Sequence, residues 1–304
     1  MDRRDFLQQV ALWYAGIMAT APVFRLVDRA AAAPAGQSLI AVSRNQEIAA
    51  MVAAVVEHLG GMGRFVSQGD RVVVKPNIGW DRTPAQSANT HPEVVKALVV
   101  LALEAGAASV AVFDRPCNEE RRCYHNSGIK PALDAMDDRR VRCEYIDDRR
   151  FVPVTIERGR ALSEWEFYKD ALEADCYINV PVAKHHGLTG LTLGLKNVMG
   201  VIGGRRGRIH HNIAQNLADL NTVMRPALTV VDATRILLRN GPQGGRLEDV
   251  AQKNTVLASV DPVAADAYAT TLFGRAPGEI DSTVRAQAMG LGEMDLDKCR
   301  IVTV

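Results

Sequence analysis

Along most of this chain, short unbroken apolar runs alternate with longer stretches in which apolar residues return every three or four positions. The first pattern predicts buried strands, the second helices with one covered face. Over 45–59 the spacing of Ile48, Met51, Val52, Val55, Val56 and Leu59 predicts a helix, with Asn45 as its N-cap and Gly60-Gly61 as its stop. RVVVKPN then reads as a buried strand over 72–74 that ends at Lys75-Pro76, because proline has no N–H to give a central ladder. A polar loop leads into THPEVVKALVVLALEAGA, where Thr90 and Glu93 have capping-box spacing, Pro92 suits the first turn and Gly106 follows the last. SVAVFD is the next strand, with Asp114 at its exit. Strand, helix and strand within about forty residues make a βαβ unit, with parallel strands and a right-handed crossover.

The middle third is charge-dense, and two short strands are expected there, near 141–146 and 151–156. CYINV over 176–180 is again a buried strand, followed by Lys184; ALTVVDA ends at Asp232. A last strand runs to Val260, with Asp261 as N-cap and Pro262 as first residue of a helix reaching Phe273. The expected fold is therefore α/β: a mixed, mainly parallel sheet with flanking helices and a ligand cleft at the strand carboxyl ends. Five polar residues, Lys75, Asp114, Lys184, Asp232 and Asp261, each follow an apolar strand, and such residues converge on a crevice in open α/β sheets. Chains also turn into solvent at strand ends, and Asp261 is fully explained as a helix cap.

The segment 180–204, VPVAKHHGLTGLTLGLKNVMGVIGG, concentrates lysine, histidine and asparagine in small apolar surroundings. Buried charge must be paired or must shift its pKa, so this composition marks a pocket. Leu188, Leu191, Leu195 and Val198 have helical spacing, so a glycine-weakened helix is expected over 187–199, with Lys184 and His186 at its anion-attracting N-terminus. Lys196 would then lie about 15 Å along the axis, beyond reach of the same small group unless the segment bends. His186 has two readings: a metal ligand or general base, or a hydrogen-bonded loop histidine. The downstream loop GGRRGRIHH, with Arg205, Arg206 and Arg208 ahead of His210 and His211, either covers the cleft or binds phosphate, or is solvated surface. GPQGG, with Gly241 and Gly244, has the turn chemistry that lets backbone N–H groups approach a ligand. No dinucleotide, Walker, G-x-S-x-G or H-E-x-x-H signature occurs.

A formal net charge of +1 and the lack of aromatics beside the one basic cluster argue against a nucleic-acid partner. Five cysteines include no C-x-x-C pair, which makes an iron–sulfur cluster an unsuitable cofactor; Cys117 and Cys123 are near enough to pair, and Cys176 reads as a core thiol. Residues 1–35 carry Arg3-Arg4, then Phe6-Leu7, an uncharged run and small residues fitting a cleavage site. This looks like a twin-arginine export signal, which implies the twin-arginine export machinery as a partner, a periplasmic or exported location and no stable membrane span after cleavage. One α/β domain over 36–304 would remain.

VVVKPN, THPEVVKAL, VAVFD, INVPVAKHHGLTGLTLGLKNVMG, VVDA, NGPQGG and LASVDPVAADA occur in an order that resembles the domain of unknown function 362 family, over about Val72 to Gly274. The resemblance implies an α/β domain that carries these motifs; the ferredoxin-like modules of some members are missing here. A looser similarity is to the nickel-dependent lactate racemases. The expected function is an enzyme that binds a small anionic substrate, with a divalent metal as the cofactor left open. Catalytic candidates are His186, Lys184 and Lys196; substrate-binding candidates are Lys75, Asn77, Asn197, Gly241 and Gly244; a metal would take His186, Asp114 and Asp232. The alternatives are a periplasmic protein that binds a ligand or cofactor without catalysis, and an assembly factor for an exported redox complex.

Overall fold

The computed structural model describes residues 37–304. The signal-like segment and its twin arginines lie outside them. Twelve strands are found among the described residues: β1 (Leu39–Arg44), β2 (Arg71–Pro76), β3 (Ser109–Val112), β4 (Val141–Cys143), β5 (Phe151–Thr155), β6 (Glu164–Tyr168), β7 (Cys176–Val180), β8 (Val182–His186), β9 (Gly190–Thr192), β10 (Leu228–Leu237), β11 (Val250–Ser259) and β12 (Arg300–Thr303). The α-helices are α1 (Ile48–His58), α2 (Pro92–Glu104), α3 (Glu120–Asn126), α4 (Ile129–Asp134), α5 (Lys169–Leu172), α6 (Gly194–Asn197), α7 (Ile213–Val223), α8 (Pro262–Thr271) and α9 (Asp281–Ala288). None of the described helices is long and apolar enough to cross a membrane.

The main sheet has the order β12-β1-β11-β10-β7-β2-β3-β4, with β8 and β9 attached beyond β10, while β5 and β6 form a separate hairpin. Every pair from β10 through β4 is parallel; β11 runs against both β10 and β1. The sheet is therefore mixed and mostly parallel. Both its faces are covered, which is why its strands read as apolar runs rather than as alternations. Val72, Val74, Val110, Val112 and Ile178 pack towards α1 and α2 on one face. Val73, Ala111, Phe113 and Tyr177 point to the other, against α7 and the β5–β6 hairpin, as the two-residue side-chain period of a strand demands.

Local signals were met by different residues in places. Asn45 is left-handed (φ 57°) and turns the chain out of β1, and Glu47 precedes α1 without a side-chain cap. At α2 the N-cap is His91, whose Nδ1 accepts from the Glu93 amide at 3.2 Å. Thr90 is instead drawn into the sheet, its hydroxyl donating to the Val180 carbonyl at 2.8 Å and accepting from the Asn77 amide at 2.8 Å. Asp261 caps α8, accepting from the amides of Val263 and Ala264.

The helix expected over 187–199 does not form. Gly190 is left-handed (φ 72°), and the chain reverses there so that β9 pairs antiparallel with β8, placing Thr192 opposite Lys184. Leu188, a member of the supposed buried stripe, is 72% exposed. Only residues 194–197 are α-helical, followed by one 3-10 stretch, Val198–Val201. The glycine-permitted reversal overrides a spacing of leucines that suits a helix equally well.

Candidate functional site

A cavity of about 620 Å³ opens over the carboxyl ends of β2 and β3. Its floor is built by two strand ends and by the β8–β9–α6 segment that the glycine turn folds back over them. Lys75 and Asn77 come from the end of β2, Asp114 follows β3, Lys184 and His186 come from β8, Thr192 from β9, and Lys196 and Asn197 from α6. β8 reaches this position because the chain breaks at Pro181 after β7 and continues along the outer half of β10, where Val182 faces Asp232 and Lys184 faces Leu237. Lys196, expected beyond reach, thus lines the same cavity as Lys184: the reversal brings it back.

Lys75 is fully engaged. Its ammonium contacts Asp114 Oδ1 at 2.9 Å and donates to the Asn197 carbonyl at 2.6 Å and to Asn197 Oδ1 at 2.8 Å. Three partners saturate an ammonium group, so Lys75 anchors the floor and has no proton left for a ligand. Asp114 is engaged too, accepting from the amides of Ile78 (2.6 Å) and Arg115 (3.0 Å). Asn197 ties β2 to β7 by donating to the Lys75 carbonyl and to Asn179 Oδ1. Asn77 Oδ1 accepts from Lys184 at 3.0 Å. These buried polar groups satisfy one another, as a low-dielectric interior requires.

The amines above this floor are under-partnered. Lys184, 1% exposed, donates to Asn77 Oδ1 and to the Ala88 carbonyl, which leaves one N–H direction. Among the described residues Lys196 has only the Met199 sulfur, at 3.4 Å. Burial first, then the neighbouring Lys196, lowers the Lys184 pKa to about 7. Burial likewise brings Lys196 to about 8. The Thr192 hydroxyl is buried without any hydrogen-bond partner among the described residues. The cavity's single carboxylate, Asp114, is already paired to Lys75, so its field is positive and suits an anion.

His186 has a defined orientation. Its Nδ1 accepts from the Leu188 amide at 3.1 Å and the Thr189 amide at 3.4 Å, capping the β8–β9 turn. The neutral ring must therefore carry its proton on Nε2. Burial, then Lys196 and Lys184, push its pKa down to about 3, so the ring stays neutral near pH 7. In this tautomer His186 offers the cavity an N–H donor, not the lone pair that a general base or metal ligand needs.

The expected metal set does not fit. Asp232 lies away from the cavity, accepting from the His91 amide at 2.7 Å and from the Thr234 amide and hydroxyl. It sits within β10 and not at its end, because that strand continues five residues further, to Leu237. Asp114 is consumed by Lys75, and His186 presents no free nitrogen lone pair. Among the described residues no three His, Cys, Asp or Glu side chains gather as a metal site. Asp261 is also remote: β11 is antiparallel to β10, so its carboxyl end lies beside the amino end of β10, away from the parallel strands' carboxyl ends.

Gly241 reaches the cavity but its N–H is given to His185 Nδ1 at 3.1 Å, while Gly244 lies off the wall and donates to the Asn240 carbonyl. Of the basic loop, Arg206 and His210 line the cavity and exposed His211 does not. Arg206 clasps the loop across the opening, donating to the carbonyls of Arg115 and Pro116 at 2.7 Å each. Sequence reasoning missed Thr192, Trp80 and Cys117 as cavity residues. For Trp80 and Cys117 a signal existed, since both lie in loops just after β2 and β3; for Thr192 the helix expectation hid it. Cys117 and Cys123, near enough in sequence to pair, are both free thiols.

A structure of the lactate racemase apoprotein from Thermoanaerobacterium thermosaccharolyticum superposes with a TM-score of 0.46 at 11% identity, over 78% of this chain and 57% of that one. The thylakoid-associated protein sll1697 of Synechocystis sp. is 28% identical over 267 residues, covering 82% of this chain and 78% of that relative. The profile of the domain of unknown function named DUF362 matches residues 72–271, which include the floor of the cavity from Lys75 to Arg206. The chain belongs to the DUF362 family.

Proposed function

We propose that this protein is an exported enzyme that acts on a small anionic substrate held in the cavity above β2 and β3. The observation that carries this reading is the convergence of Lys184, Lys196 and the unpartnered Thr192 hydroxyl on one space whose only carboxylate is already spent. A buried hydroxyl without a partner costs about 1–3 kcal/mol, which an anion's oxygen would relieve. Lys196 and Thr192 bind the anionic group, and His186 donates from Nε2. Lys184, brought to about 7, exchanges a proton with the bound molecule near neutral pH. Export rests on the N-terminal pattern alone; fusing residues 1–35 to a reporter that is active only after folded export tests it, and a cytoplasmic reporter would refute it.

Titration calorimetry with inorganic phosphate and a panel of small carboxylates tests the binding reading. An anion should bind at about pH 6.5 and weaken by roughly tenfold or more in Lys196→Gln, the loss expected for one charged hydrogen bond. Affinity should also fall as the pH passes through 7 to 8, where Lys184 and Lys196 lose their protons. No binding by any anion, or binding indifferent to Lys196, would overturn the reading. A ligand that binds and is recovered unchanged after prolonged incubation would make the protein a carrier and not an enzyme.

A further inference from the structure

Of the five cysteines, four are wholly or partly buried and one, Cys117, is exposed. Cys117 stands in the loop after β3, held by its amide's 2.8 Å hydrogen bond to the Gly79 carbonyl, and it lines the same cavity as Lys184 and Lys196. Its sulfur is close enough to influence the protonation of Lys75, Lys184 and Lys196, although burial dominates the shift of all three. The unpartnered Thr192 hydroxyl, 4% exposed, marks the same space as one that receives a ligand. A positive cleft concentrates small anions at an exposed thiol that lines it.

We propose that Cys117 is a catalytic nucleophile of the anion cleft, attacking small anions that carry an electrophilic carbon. The inference rests on the anion-binding reading above and adds a covalent step to it. The Cys117 Sγ proton passes to water through the open side of the cavity. The sulfur's electron pair forms the S–C bond while the bond from that carbon to its leaving group breaks, the leaving group departing with that bond's electrons. Water then attacks the same carbon and the S–C bond breaks, its electron pair returning to sulfur, which is reprotonated, so that the thiol is regenerated and nothing is oxidised or reduced. The lysines hold the substrate's anionic group, so the negatively charged electrophile is favoured over a neutral one of the same reactivity.

Iodoacetate and iodoacetamide provide the test, since they place the same reactive methylene on an anionic and a neutral carrier. Both are applied to the folded protein, and the alkylated cysteine is identified by peptide mass mapping, with Cys117→Ser as control. Iodoacetate should modify Cys117 faster than iodoacetamide by about tenfold or more, the enrichment expected of a one-sign cleft. Phosphate should protect the thiol, and Lys196→Gln, checked for an unchanged far-ultraviolet circular dichroism spectrum, should abolish the preference. If that variant does not fold, phosphate protection of the unaltered protein decides alone. Equal rates, faster iodoacetamide, or no protection while calorimetry shows phosphate bound would overturn the nucleophile and leave the anion site standing. Absence of phosphate and carboxylate binding would instead remove the reading beneath it.

Discussion

A methyl group on Gly200 would collide with both Asp114 Oδ1 and Lys75 Nζ, so the residue's identity is set by an ion pair far away in sequence. Gly200→Ala should lower stability by about 3 kcal/mol, because the pair must separate in a medium where separation is costly. Lys75→Met should cost about 3–5 kcal/mol by leaving Asp114 buried without its counter-charge. Urea unfolding measures both, and a Lys75→Met protein as stable as the parent would show that Lys75 is not the anchor described here. The under-partnered Lys196 behaves differently: Lys196→Gln should leave the unfolding midpoint unchanged or raised, since it removes a charge with no paired carboxylate among the described residues.

Helix α6 is one turn long and would not persist alone. Asp266 of α8 holds its start, accepting from the amides of Gly194 (2.7 Å) and Leu195 (2.9 Å). Among the described residues the carboxyl has no cation beside it, and burial raises its pKa to about 7. Asp266→Ala should destabilise the protein by about 1–3 kcal/mol, the cost of orphaned buried donors, and should also weaken anion binding because Lys196 rides on α6. Asp266→Asn keeps an acceptor oxygen and should recover part of both. Calorimetry with phosphate on the two variants separates the effects; full affinity in Asp266→Ala would show that the carboxylate does not position Lys196. The same segment shows why leucine spacing misled: Gly190 supplies a left-handed residue, and the resulting hairpin gives the Leu188 and Thr189 amides an acceptor in His186 Nδ1 that a helix would not.

For the whole molecule, the lysine pair links stability to pH. Lys184 and Lys196 have folded pKa values of about 7 and about 8 against an ordinary 10.5. Above about pH 7 the native protein has shed protons that the unfolded chain still binds, so stability rises with pH, by about 1.4 kcal/mol per unit for each fully released proton. The rise should hold to about pH 9, above which the Cys123, Cys143 and Cys176 thiols, pushed up to about 11, 12 and 12, act in the opposite sense. Bound anion keeps the amines protonated and stabilises the native state most at the lower end of this range. Differential scanning calorimetry from about pH 7 to 9, with and without phosphate, should show a rising Tm that phosphate flattens. A flat or falling Tm without phosphate would contradict the buried, charged state assigned to the amines.

How much was legible in the sequence follows the reach of the interactions involved. Apolar runs over 72–74, 110–112 and 176–180 are strands because a sheet covered on both faces needs apolar side chains at consecutive positions, and Asp261-Pro262 opens a helix because the cap and the proline act within one turn. Such local rules determined the α/β fold, its mainly parallel sheet and the placing of Lys75 and Asp114 at the ends of β2 and β3, whereas Lys184 lies within β8 and not at the end of β7. Tertiary structure alone decided which of those polar groups are spent and which are open. Asp232 and Asp114 look alike along the chain, yet one accepts from the His91 amide and the other pairs with Lys75, through contacts more than thirty residues distant. Lys184 and Lys196 share a cavity only because the chain reverses at Gly190, and the tautomer of His186 follows from two amides of that turn. Charge, protonation and availability depend on three-dimensional neighbours, and no linear spacing carries them.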